Sequence, residues 1–213
     1  MATVLRYLFF LLVVRPLVLI ILGLNVRHRE RLPKEGPALI VANHNSHLDT
    51  MVLMSLFPLK SLKHIRPVAA MDYFLSSGLM AWFSLNIIGI IPVDREARAR
   101  GEDPLTGARD GLNRGDMLVL FPEGTRGAPE EMADFKKGVS HLAEQHDGLP
   151  TVPVFLHGLG KIMPKGSHVP VPFFVDVFIG EPIVWTGNRD DYMSSLNRKI
   201  AELAAEGQFP SWD

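Results

Sequence analysis

From residue 38 onward the chain repeats one pattern, a short apolar run followed by a longer mixed segment. The runs are ALIVAN (38–43), IIGIIPV (87–93), MLVLFPE (117–123), TVPVFLHG (151–158) and FFVDVFIGEPI (173–183). Apart from VDVFIG they do not alternate apolar with polar residues, which is how strands buried on both faces read. VDVFIG alternates more strictly and suits an antiparallel strand. Residues 47–57, 73–85, 104–113 and 136–147 suit helices, and 189–206 reads as a closing amphipathic helix. Strand and helix in turn predict a single α/β domain, a largely parallel mixed sheet flanked by helices. At 213 residues the chain has room for one sizeable core. We assign it to 33–213. No internal repeat is evident, and the one charged loop of note is REARARGEDP (95–104).

What precedes that domain is different. Residues 7–24, YLFFLLVVRPLVLIILGL, are apolar except for Arg15 and Pro16. As one helix they would reach about 27 Å, barely the hydrocarbon thickness. An arginine at mid-membrane costs about 2.5–3.5 kcal/mol on insertion scales, and the proline would kink the helix there. Two forms are therefore expected: a span, or two short helices dipping into one leaflet with Arg15 reaching the headgroups. No small-x-small cleavage site follows before RHRERLPK, whose Arg27, Arg29, Arg31 and Lys34 outweigh Arg6 on the other side. That bias predicts a membrane protein with its body, and its active site, on the cytoplasmic face. Residues 1–32 are accordingly expected to be a membrane-anchoring segment and its basic flank.

Charge and composition remove several function classes. Lys and Arg number 22 against 23 Asp and Glu, so there is no basic excess to bind nucleic acid. The chain has no cysteine, which excludes disulfides, thiolate zinc and a cysteine nucleophile. No G-x-S-x-G elbow, Walker loop or G-x-G-x-x-G turn occurs.

Chemistry in α/β sheets collects where strands end and helices begin, and four stretches fall at such places. The first is NHNSHLD, following ALIVA. Across a strand-to-helix turn, Asp49 can reach back to His44, fix its tautomer and make it a base for an alcohol proton. Asp49 can equally charge the first helical turn with Ser46 as cap, and His47 reads as an exposed helix residue. A metal on His44, His47 and Asp49 would need ligands from a second cluster, and none is evident, so no metal is expected. The second is GIIPVDR, which ends in Arg95. Its planar fork suits a fixed phosphate, though alone it reads as readily as an ion pair with Asp94. The third is FPEGTR, in which Glu123, Thr125 and Arg126 offer an acceptor, a hydroxyl and a guanidinium around Gly124. The fourth, VPV with Pro153, passes alone for a core or edge strand. A base and two arginines without a protein nucleophile suit an enzyme that uses its substrate's own hydroxyl.

In order and spacing, NHNSHLD, GIIPVDR, FPEGTR and TVPV resemble the four blocks of the glycerolipid acyltransferase superfamily, the glycerol-3-phosphate and 1-acylglycerol-3-phosphate acyltransferases. The resemblance covers residues 33–185 and includes FKKG (135–138) and IGEPI (179–183). It implies a membrane-bound α/β enzyme moving a fatty acyl group from acyl-CoA or acyl-carrier protein onto a lipid alcohol, with no cofactor. Carried over, His44 is the expected general base and Asp49 its orienter. Arg95 is expected on the acceptor's phosphate, with Glu123, Gly124, Thr125 and Arg126 completing the acceptor site. Asn43 would position the first block within that site, and Pro153 would shape its wall. The leading expectation is transfer to 1-acylglycerol-3-phosphate, giving phosphatidate. The rivals are another acceptor, such as glycerol-3-phosphate, another lysophospholipid or an aminolipid, and a thioester or lipid hydrolase. Three positions depart from the common family pattern: Asn45, Gly127 and the pair Pro92-Val93 before Arg95.

Overall fold

The computed structural model describes residues 2–74, 77–125, 134–162 and 174–209. Its centre is a seven-stranded sheet of β1 (Gly23–Arg27), β2 (Ala38–Ala42), β3 (Ile65–Ala70), β4 (Ile91–Val93), β5 (Met117–Leu120), β6 (Thr151–His157) and β7 (Phe174–Ile179). The order across the sheet is β1-β7-β6-β2-β5-β3-β4. Every pairing is parallel except that of β6 with β7. The mixed, largely parallel α/β domain expected from the apolar runs is therefore what the chain forms, and VDVFIG is the antiparallel strand.

The central strands show why the runs are apolar throughout. In β2, Ala38, Ile40 and Ala42 join one core cluster, while Leu39 and Val41 join another. β5 divides likewise, Met117 and Val119 from Leu118 and Leu120. Successive side chains point to opposite faces of a strand, so each face needs its own cover. The first face is covered by an apolar helix α1 (Ala2–Ile20), by α2 (Leu48–Ser55) and by the end of α3 (Gly78–Ile88). The second is covered by α4 (Thr106–Asn113), α5 (Gly138–Glu144) and α6 (Arg189–Glu206). Asn188 caps α6, accepting the N–H groups of Asp190 and Asp191.

Two strands lie outside the apolar runs, and one run is split. β1 is an edge strand that alternates exposed with half-buried residues, so the sheet begins ahead of residue 33. β3, IRPVAA, is only partly buried and carries Arg66 and Pro67. In 87–93 the strand is confined to Ile91–Val93, because Ile87 and Ile88 end α3, which Gly89 terminates at φ +74°. A short apolar run alone does not separate a helix end from a strand.

Among the described residues, α1 is the one helix long and apolar enough to cross a membrane. Arg6, Phe10, Val14 and Val18 turn inward at every fourth residue, and Leu22 continues the stripe. Arg6 donates to the carbonyls of Ile65 and Ile88, at 2.8 and 2.9 Å, while Arg15 donates to that of Phe57 at 3.1 Å. Leu8, Leu12, Leu19 and Ile20 face outward.

Candidate active site

The parallel strands β2, β4, β5 and β6 bring their C-terminal ends to one edge of the sheet, which gathers the sequence blocks. His44 lies two residues beyond β2, and Asp49 in the first turn of α2 is fully buried. His44 Nδ1 donates to Asp49 Oδ2 at 2.8 Å. That oxygen also accepts the N–H groups of Asn45 and Ser46, at 2.8 and 2.9 Å. One carboxylate oxygen thus closes the turn and holds the ring, which leaves Nε2 as the nitrogen turned away from Asp49. Burial pushes the Asp49 carboxyl above its ordinary value, and the bonds from His44, Ser46 and Asn45 offset part of that rise.

Neighbouring strand ends hold His44 as well. Its N–H donates to Glu123 Oε1 at 3.0 Å, and its ring stacks on Phe121 with centroids 4.2 Å apart. Glu123 is buried and is not among the residues lining the adjacent cleft. It steadies the histidine backbone from behind.

Asn43 does something similar at its own position. Its side-chain amide donates to Leu156 O at 2.9 Å, and its side-chain oxygen accepts Leu156 N–H at 2.7 Å. The β2–β6 ladder ends at Ala42 and Val154, so Asn43 extends it by side chain. Asn43→Ala is expected to cost about 2 kcal/mol by stranding two buried backbone groups, read by chemical denaturation. Unchanged stability with lost activity would instead make Asn43 a ligand contact.

Arg95 lies exposed past β4 and reaches toward the third block. It donates to the carbonyl of Gly124 and lies 3.8 Å from Asp72. Asp94 is occupied by Arg100, whose hydrogen bond holds that carboxyl below its ordinary value, so the Asp94–Arg95 pairing is not the one formed. Gly124 has φ +73°, and a Cβ there would lie 2.4 Å from Lys136 Nζ. The lysine end could move aside, so it is the left-handed backbone that favours glycine here.

These groups face a cleft of about 770 Å³. His44, Arg95, Gly124 and Thr125 line it, together with His47 and Lys136, to which the sequence assigned no place in the site. His47, expected on the helix surface, faces the cleft, and Lys136 of FKKG lies on its rim. Apolar side chains from Met51, Val68, Ile90 and Val93 make up much of the remaining wall. Arg126 lies outside the described residues. Pro153 sits in the middle of β6, beside Val41 of β2. Among the described residues no cluster of His, Asp and Glu could hold a metal ion.

A family model described as Acyltransferase matches residues 23–157, from β1 to the end of β6. The chain belongs to the acyltransferase family. It is 34% identical over 182 residues to a chloroplastic 1-acyl-sn-glycerol-3-phosphate acyltransferase of Arabidopsis thaliana, covering 84% of this chain and 48% of that one. A Pseudomonas aeruginosa protein of the same description is 28% identical over 85% of this chain and 67% of its own. The chain spans about half the length of the first curated relatives it matches. The crystal structure of the 1-acyl-sn-glycerophosphate acyltransferase PlsC from Thermotoga maritima superposes with a TM-score of 0.77, at 20% identity, over 99% of this chain and 81% of that one. At that identity the likeness shows a shared fold.

Proposed function

We propose that the chain is a membrane-attached O-acyltransferase that moves a fatty acyl group from acyl-CoA or acyl-carrier protein to 1-acylglycerol-3-phosphate, giving phosphatidate. The observation that carries this reading is the convergence of the His44–Asp49 pair and Arg95 on one cleft whose remaining wall is largely apolar. A phosphorylated lipid alcohol has the three features such a cleft complements: a hydroxyl, an anion and a hydrocarbon chain. The names of the relatives point the same way.

His44 Nε2 takes the proton of the acceptor hydroxyl, and the oxygen attacks the thioester carbonyl. The tetrahedral intermediate collapses with loss of the thiolate, which takes up the proton from the imidazolium. Asp49 keeps Nδ1 protonated and stabilises the ring while it is charged. Arg95 holds the acceptor's phosphate, with Thr125 beside it and Arg126 sharing the load. The apolar outer face of α1 attaches the enzyme to the membrane from the cytoplasmic side, where its partners are lipids and a soluble thioester donor.

The test is an assay in detergent micelles with labelled oleoyl-CoA or oleoyl-carrier protein and a panel of acceptors. Labelled phosphatidate from lysophosphatidate alone is the expected result. Product from glycerol-3-phosphate or lysophosphatidylcholine would change the acceptor, and free oleate with every acceptor would make the enzyme a hydrolase. In the same assay, Arg95→Ala should raise the acceptor KM by about tenfold or more with little effect on the donor KM. Equal losses for both substrates would give Arg95 a structural role.

A further inference from the structure

Helix α3 spans eleven residues, GLMAWFSLNII, without a single Asp, Glu, Lys or Arg. On one face, Leu79, Trp82 and Leu85 follow one another at helical spacing and are 81%, 47% and 41% exposed. On the other, Phe83, Ser84 and Ile88 line the cleft. A helix at a water-facing surface ordinarily carries charge on its outer side, and a contiguous apolar patch marks an interaction site.

α3 does not stand alone. Its Phe83 packs edge-to-face on Phe9 of α1, with ring centroids 5.2 Å apart, and its Ile88 carbonyl accepts Arg6. The outward faces of the two helices therefore belong to one apolar surface. Beside it, the segment Leu59–His64 packs against α1 and presents Lys60 and Lys63 to solvent. Apolar side chains flanked by exposed cations match a leaflet with anionic headgroups. At 1.5 Å per residue α3 is about 16 Å long, half the hydrocarbon thickness, so it can enter one leaflet but not cross two.

We propose that α3 is a second membrane-embedded element, lying with α1 in a single leaflet, and that it is the doorpost past which a bilayer lipid slides into the cleft. Its outer face meets acyl chains while its inner face already lines the site. The doorway rests on the lipid-acceptor reading above, whereas immersion of α3 does not.

Two experiments separate those parts. In a Trp185→Phe, Trp212→Phe enzyme, Trp82 is the only indole left. Its fluorescence should be quenched by vesicles of phosphatidylcholine and phosphatidylglycerol brominated on their acyl chains, whatever the enzyme's activity. An unquenched Trp82 overturns the proposal, and if the protein then sediments as a dimer, a second copy covers this face. The double variant Leu79→Glu, Trp82→Glu should lower turnover of a long-chain acceptor in vesicles by at least about tenfold. Turnover of a short-chain acceptor, monomeric in water, should stay within about twofold of the parent. An equal loss on both acceptors, or no loss on either, overturns the doorway. If the parent enzyme acylates neither acceptor, the proposed function fails, and the quenching still decides where α3 lies.

Discussion

Replacing His44 by alanine is expected to lower acyl transfer by about 10²–10⁴-fold while the protein remains folded, the usual worth of a positioned general base. Among the described residues the ring makes one hydrogen bond, to Asp49, and one stacking contact, on Phe121. With the ring gone, Asp49 still accepts the Asn45 and Ser46 N–H groups that close the turn. Initial rates with a thermal unfolding curve on the same sample check this. Activity above about one percent of the parent would sink the general-base role.

Asp49→Asn separates activity from stability more sharply. Among the described residues its second oxygen, Oδ1, is buried without a hydrogen-bond partner, and burial raises the carboxyl above its ordinary 3.8. A carboxyl that titrates higher when folded favours folding most below its unfolded value. That contribution is lost as pH rises through the folded value. The charged form of Asp49 is therefore a cost to the fold, offset in part by its bonds from His44, Ser46 and Asn45. The amide removes the charge and misplaces the proton on His44, so activity should fall by about 10²-fold or more. Stability at neutral pH should hold or rise, and the parent's stability should decline more steeply than the variant's as pH climbs from about 4. A variant that unfolds well below the parent at pH 7 would make Asp49 a brace and nothing more.

The His44–Asp49 pair was legible because its spacing carries its geometry. Five residues across a strand-to-helix turn bring a carboxylate back to an imidazole, and the structure closes that contact at 2.8 Å. The central strands were legible because helices cover both their faces, which forces apolar residues at every position. β1 and β3 were not, since an edge strand and a half-buried strand carry the polar residues that mark loops. Asn43 and Glu123 were expected at the acceptor site, and each also holds a backbone group beside His44: the amide of Asn43 binds Leu156, and Glu123 accepts the His44 N–H. Spacing along the chain does not say which way a side chain turns after a strand ends. His47 was read as an exposed helix residue and Lys136 was given no role for the same reason, their place on the cleft being set by elements far away in sequence.

The inward stripe of α1 has a practical consequence. Phe10, Val14, Val18 and Leu22 belong to the same apolar cluster as Ile40, Val119 and Val154 of the central strands. The greasy end of this protein is thus a wall of its interior, and cutting it away would leave that interior open to water. Lipid then acts on the folded chain as a ligand would, adding its affinity for the outer side of the helix to the stability of everything packed on the inner side. A detergent that fails to cover α1 would be expected to loosen strands lying on the far side of that wall.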